Sequence, residues 1–135
     1  MAEENPRILL GKVGLDGHDR GVRMLATWLR NSGMEVVYIG THNTPDAAVK
    51  AAEQEDVDFI GLSFQGAEHI PLLKMVTAKM KEAGLNDVVL VAGGNIPRQD
   101  IPVLKEMGVD AIFPPGSPMQ NITEYFRKRG SRRSG

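Results

Sequence analysis

Apolar positions fall along this chain in two rhythms. Short, mainly apolar runs occupy Arg7–Val13, Glu35–Ile39, Val57–Leu62, Asp87–Ala92 and Val109–Phe113, and each reads as a strand buried on both faces. Between them apolar residues recur every three or four positions. Val22, Leu25, Ala26 and Leu29 mark a helix over Gly21–Asn31, with Gly33 placed to end it. Thr44 before Pro45 is an N-cap followed by a first-turn proline, opening a helix to Glu55. Leu72, Leu73, Val76 and Met80 share a face of a helix from Glu68 to Ala83, closed by Gly84. Ile101, Leu104 and Met107 mark Arg98–Met107, closed by Gly108, and Ile122 and Phe126 mark Met119–Lys128. This alternation predicts an α/β domain with a flavodoxin-like, doubly wound parallel sheet of order 2-1-3-4-5 flanked by helices. Residues 7–128 form that domain, 1–6 an N-terminal extension and 129–135 a flexible polar tail. The switch point lies between strands 1 and 3, and ligands of such sheets bind outside the carboxyl ends of the strands.

Composition narrows the class. The chain has 135 residues, enough for one domain with a sizeable core. Hydrophobic residues make up 41% and aromatics 5%, so that core is mostly aliphatic. A net charge of −1 gives no field for nucleic acid or a membrane surface. There is no cysteine, which excludes disulfides, thiolate metal sites and cysteine nucleophiles. No apolar run reaches the length of a membrane span, and Met1–Pro6 has no signal-peptide core; the expectation is a cytoplasmic domain.

Four glycine-bearing segments follow strands 1, 3, 4 and 5: Gly14–Gly21, Ser63–His69, Gly93–Pro97 and Pro114–Pro118. The fold gathers them on one rim, where glycines permit positive φ and close backbone approach to a ligand. The first segment contains Asp16-Gly17-His18-Asp19-Arg20-Gly21, with Lys12 four residues before Asp16. His18 as a general base lacks a Ser or Cys nucleophile beside it. A zinc site needs three or four protein ligands, and His42 and His69 stand at no recognised spacing from His18. A single axial ligand to a metal that brings its other ligands, as in a haem or corrinoid, needs one imidazole and a carboxylate behind it. Lys12, Asp16 and His18 fit that role best. His42 reads as exposed, His69, near a helix start, as a residue without a site role, the alternative being contact with the ligand or a partner, and Trp28 as a partly buried or interface residue.

Lys12-Val-Gly-Leu-Asp-Gly-His-Asp-Arg-Gly21, then Gly93-Gly94 and Phe113-Pro-Pro-Gly-Ser117, resembles the cobalamin-binding signature of the adenosylcobalamin-dependent acyl-CoA mutases, the methylmalonyl-CoA mutase group. The resemblance spans roughly residues 5–128 in the same order and spacing. It implies His18 as the lower axial ligand to cobalt, displacing the cofactor's dimethylbenzimidazole. It implies Asp16 and Lys12 behind His18 in a relay, and Gly17, Asp19, Arg20 and Gly21 in the same motif. Ser63, Gly93, Gly94, Phe113, Gly116 and Ser117 would line a slot for the displaced base. The family's Ser-x-Leu reads Ser63-Phe64-Gln65 here, so Gln65 is expected to hydrogen-bond the ligand or face a partner subunit.

Mutases of this group cover the cofactor with a TIM barrel of about 250 residues, for which this chain has no room. The expectation is a cobalamin-binding small subunit, an isomerase component inactive alone. Its partner would be a large barrel subunit holding the acyl-CoA, in a heterotetramer of two large and two small subunits. The 2-hydroxyisobutyryl-CoA mutases offer a precedent, and the compact start at Met1 favours a subunit over a domain cut from a longer mutase. The alternative is a corrinoid carrier for methyl transfer. A receiver domain of the same fold needs an aspartate where Ser63 stands.

Overall fold

The computed structural model describes residues 6–14, 19–65 and 68–134. Among the described residues, five parallel strands form one sheet in the order β2-β1-β3-β4-β5. They are β1 Arg7–Gly11, β2 Glu35–Tyr38, β3 Phe59–Phe64, β4 Val89–Gly94 and β5 Val109–Phe113. The helices are α1 Arg20–Asn31, α2 Pro45–Glu55, α3 His69–Glu82, α4 Ile101–Met107 and α5 Met119–Ser134, with a 3-10 turn at Arg98–Asp100 before α4. None of them is long and apolar enough to cross a membrane.

The sheet has a core on each face. On one, α2, α3 and α4 bury Ala48, Leu73, Val76 and Leu104 against Leu9, Ile60, Leu62 and Leu90. On the other, α1 and α5 bury Val22, Ala26, Leu29, Ile122 and Phe126 against Ile8, Leu10, Phe59 and Val91. Positions 22, 26 and 29 form one helical stripe, and full burial of a Val or Leu side chain there contributes about 1.5–3 kcal/mol. The Thr44 hydroxyl accepts from the Ala47 N–H at 3.0 Å with Pro45 beside it, as the sequence predicts for the start of α2.

Several boundaries differ from expectation. Strands β3 and β4 begin and end two residues later than their apolar runs. Pairing starts where Ile8 meets Phe59 and runs on to Ser63 beside Gly93 and Phe64 beside Gly94. Gly94 has φ +97°, and a Cβ there would overlap the Phe64 carbonyl, so only glycine closes the ladder. Strand β1 stops at Gly11, after which Val13 bridges only Asn43. Helix α5 continues to Ser134 through the segment expected to be a tail. Arg129 holds Asp110 at 3.2 Å, and Gly130 lets the helix pass close to the buried Pro6.

Candidate functional site

On the α1/α5 face, the odd-numbered residues of β3 run Phe59, Gly61, Ser63, and those of β4 run Val89, Val91, Gly93. Side chains therefore shrink toward the carboxyl rim. At depth, Phe59 and Phe126 meet edge to face with ring centres 4.8 Å apart. Above them lies a slot of about 210 Å³ between the sheet and helices α1 and α5. Leu10, Val22, Leu25, Val91 and Ile122 give it apolar walls. A Cβ on Gly61 would lie 2.7 Å from Leu10 Cδ2 and 3.4 Å from Val91 Cγ2, so the missing side chain keeps the slot open. Drug-sized pockets hold about 300–1,000 Å³. This slot is smaller than that, and its walls are mainly apolar. Hydroxyls stand only among its rim residues, on Ser63 and Ser117; Ser117 Oγ donates to the Pro114 carbonyl at 2.6 Å.

The segment after β1 is clamped from the β2 side. The Lys12 N–H donates to Gly40 O at 3.0 Å, and Gly14 N–H to Asn43 O at 2.9 Å. Asn43 Nδ2 donates to the carbonyls of Lys12, Gly40 and Ile39 at 3.0, 3.2 and 3.3 Å. Lys12 itself is 0% exposed, where an ammonium persists only beside an anion or a set of acceptors. Asp16, Gly17 and His18 lie outside the described residues. Asp19, next in the chain, does not cap α1 with its side chain. Its carboxylate accepts from the Tyr38 hydroxyl at 3.1 Å, with Arg23 at 4.0 Å. Burial, and then Asp19, hold the Tyr38 phenol above its ordinary pKa.

The structure brings Gly21, Ser63, Gly93, Gly94, Phe113, Gly116 and Ser117 together around the slot. Arg20 and Gln65 are exposed and stand off it; the Gln65 carbonyl accepts from Asn95 Nδ2 at 3.3 Å. His42 is exposed. His69 is 4% exposed and meets Asp100 Oδ2 through Nε2 at 2.7 Å, joining the start of α3 to the β4–α4 connection. Among the described residues, no three or more His, Asp or Glu side chains converge on a metal position. Sequence reasoning missed Gly61, although a glycine inside the apolar run Phe59-Ile-Gly-Leu62 is a readable signal. It also missed Tyr38 and Asn43, whose roles follow from contacts distant in sequence.

The family described as "B12 binding domain" matches residues 6–122. Over 130 residues the chain is 39% identical to the 2-hydroxyisobutanoyl-CoA mutase small subunit of Aquincola tertiaricarbonis, covering 93% of this chain and 96% of the relative. It is 44% identical over 112 residues to ethylmalonyl-CoA mutase of Methylorubrum extorquens, covering 83% of this chain but 16% of that much longer protein. Among solved structures, a cobalamin-binding protein from Desulfitobacterium hafniense superposes with a TM-score of 0.79 at 22% identity, covering 92% of this chain and 58% of the other. That last similarity is one of fold.

Proposed function

The chain belongs to the B12-binding domain family, and on that footing we propose that it is the cobalamin-binding small subunit of a two-subunit acyl-CoA mutase using adenosylcobalamin. The slot carries the reading. It is an apolar cleft at the carboxyl ends of the strands, kept open by Gly61 and Gly93. A flat dimethylbenzimidazole matches its walls. Ser63 would offer its hydroxyl to a ring nitrogen, and Gly93 and Gly94 would let the nucleotide tail run against backbone. Gly21, Phe113, Gly116 and Ser117 would border its entry.

With the cofactor's own base in the slot, His18 would ligate cobalt from below. Asp16 would accept the proton of its other ring nitrogen, and Lys12 would balance Asp16. Gly17 would give the loop its turn, and Asp19 would fix its exit through Tyr38. Arg20 and Gln65, exposed beside the slot, would face the corrin edge or the partner. The bound group supplies homolysis of its cobalt–carbon bond, which starts a radical 1,2 carbon-skeleton isomerisation. The residues of this chain would bind and orient that group.

The partner would be a large TIM-barrel subunit holding the acyl-CoA over the rim, two large and two small subunits forming a cytoplasmic heterotetramer. The acyl group would be chosen there; the names of two relatives already carry different ones, 2-hydroxyisobutanoyl and ethylmalonyl. The similarity to a mutase small subunit along almost the whole of both chains favours this over a methyl-transfer carrier.

The test is electron paramagnetic resonance of the cob(II)alamin complex made with nitrogen-15 protein. The expected spectrum shows cobalt coupled to a protein nitrogen, lost in His18→Ala. Coupling to the cofactor's unlabelled base would overturn the axial-ligand assignment, and absence of any complex would overturn the function.

A further inference from the structure

Beside the slot, α1 and α5 are joined by a polar strut. Trp28 Nε1 donates to Thr123 Oγ1 at 2.8 Å, across 95 residues of sequence. Thr123 Oγ1 in turn donates to the Met119 carbonyl at 2.8 Å, in the first turn of α5. A second rung lies one turn further along both helices, where Arg127 donates to the Ser32 carbonyl at 2.9 Å. The strut adjoins the slot walls through its sequence neighbours. Leu25 stands one turn before Trp28, and Ile122 and Phe126 flank Thr123.

Thr123 is 5% exposed in a helix face that is otherwise apolar, and Trp28 keeps 44% of its surface exposed. Packing alone does not call for the hydroxyl, since valine has the same shape; what valine at 123 would remove is the acceptor of the Trp28 N–H. What the threonine adds is a defined distance. Two helices held only by apolar contact slide and spread; a short bond between an indole and a buried hydroxyl fixes their gap.

The geometry points to Trp28 and Thr123 as positioning residues that set the width of the slot and so the grip on the nucleotide tail of the corrinoid. This rests on the reading of the slot as the tail site. It deepens that reading by assigning two residues that touch neither cobalt nor corrin ring.

Cobinamide, a corrinoid without the nucleotide tail, separates the slot from the rest of the site. Wild-type chain is titrated with hydroxocobalamin and with cobinamide, followed by corrin absorbance and by the fluorescence of Trp28, the sole tryptophan. Thr123→Val is expected to lower the melting temperature of the free chain by a few degrees, because the bond it removes is already made without ligand, and to weaken cobalamin binding about fivefold. Cobinamide binding stays unchanged. Trp28→Phe, read by absorbance, behaves in the same way, and the double variant is no weaker than either single one. Equal weakening of cobalamin and cobinamide, or undiminished cobalamin binding by Thr123→Val, overturns the strut. Failure of wild-type chain to bind cobalamin at all instead overturns the reading of the slot itself.

Discussion

Gly61→Ala separates binding from folding at a single methyl. Gly61 does not have the positive φ that L-residues avoid. Alanine is therefore compatible with the backbone, and its smaller unfolded-state entropy stabilises by about 0.4–1 kcal/mol. Against that, the new Cβ falls 2.7 Å from Leu10 Cδ2. Leu10 must swing its terminal methyl aside, and the free volume beside it is the slot. In the empty protein that move costs little, and the melting temperature should stay level or rise slightly. With a ring in the slot the same methyl overpacks it, at about 1–3 kcal/mol. Cobalamin affinity should then fall about 5- to 140-fold, since each 1.4 kcal/mol is a factor of ten. Gly94→Ala is the contrasting case. Its φ is +97° and its Cβ would overlap backbone, not a movable methyl, so the fold itself should suffer, with a loss of at least about 5 °C in melting temperature. The two variants are compared by calorimetry without ligand and by absorbance titration with hydroxocobalamin. Unchanged cobalamin affinity in Gly61→Ala, or affinity lost in step with melting temperature, would refute the argument.

Two other perturbations probe the ends of the sheet. Tyr38→Phe removes the hydrogen bond to Asp19, the residue after His18, and should lower stability by about 1 kcal/mol. It should also reduce the fraction of cob(II)alamin that shows a protein nitrogen on cobalt; an unchanged fraction would leave Asp19 without a role in fixing the loop. At the far edge, burial pushes the Asp110 carboxyl up, but hydrogen bonds from Tyr125 and Arg129 more than offset it and hold its pKa below the ordinary value. A depressed carboxyl stabilises the fold above its unfolded pKa of about 4 and loses that contribution as pH falls through the folded value. The melting-temperature gap between wild type and Asp110→Asn should therefore be open at neutral pH and close in acid; a gap constant with pH would contradict the anchor.

The order of strands and helices was legible because each strand is a compact apolar run and most helices carry a clear stripe or cap. The ends of β3 and β4 were not. Ser63, Gly93 and Gly94 have loop-like composition, yet they pair as the last rungs of the ladder because the adjoining backbones need small residues there. This error bears on the site. Three residues expected on loops are held by strand hydrogen bonds, which fixes the mouth of the slot more firmly than loops would. The Ser and Gly positions at the strand ends were readable by type, and Gly61, a glycine inside an apolar run, was a readable signal left unread. The Trp28–Thr123 bond joins residues 95 positions apart, and no local pattern announces it. Helix α5 outran its apolar stripe because Arg129 and Gly130 dock on Asp110 and Pro6, partners far away in the chain.

The division of β3 and β4 between two faces has a consequence for how such a chain diversifies. Beyond Phe59, positions 61, 63, 91 and 93 look toward the slot, whereas 60, 62, 90 and 92 look into the core under α2, α3 and α4. Neighbouring residues thus answer to different selections, one for what is held and the other for staying folded. Tolerance to substitution should alternate residue by residue along these strands. A lineage can then re-tailor its grip on a ligand by changes at every second position while the opposite face goes on holding the sheet together.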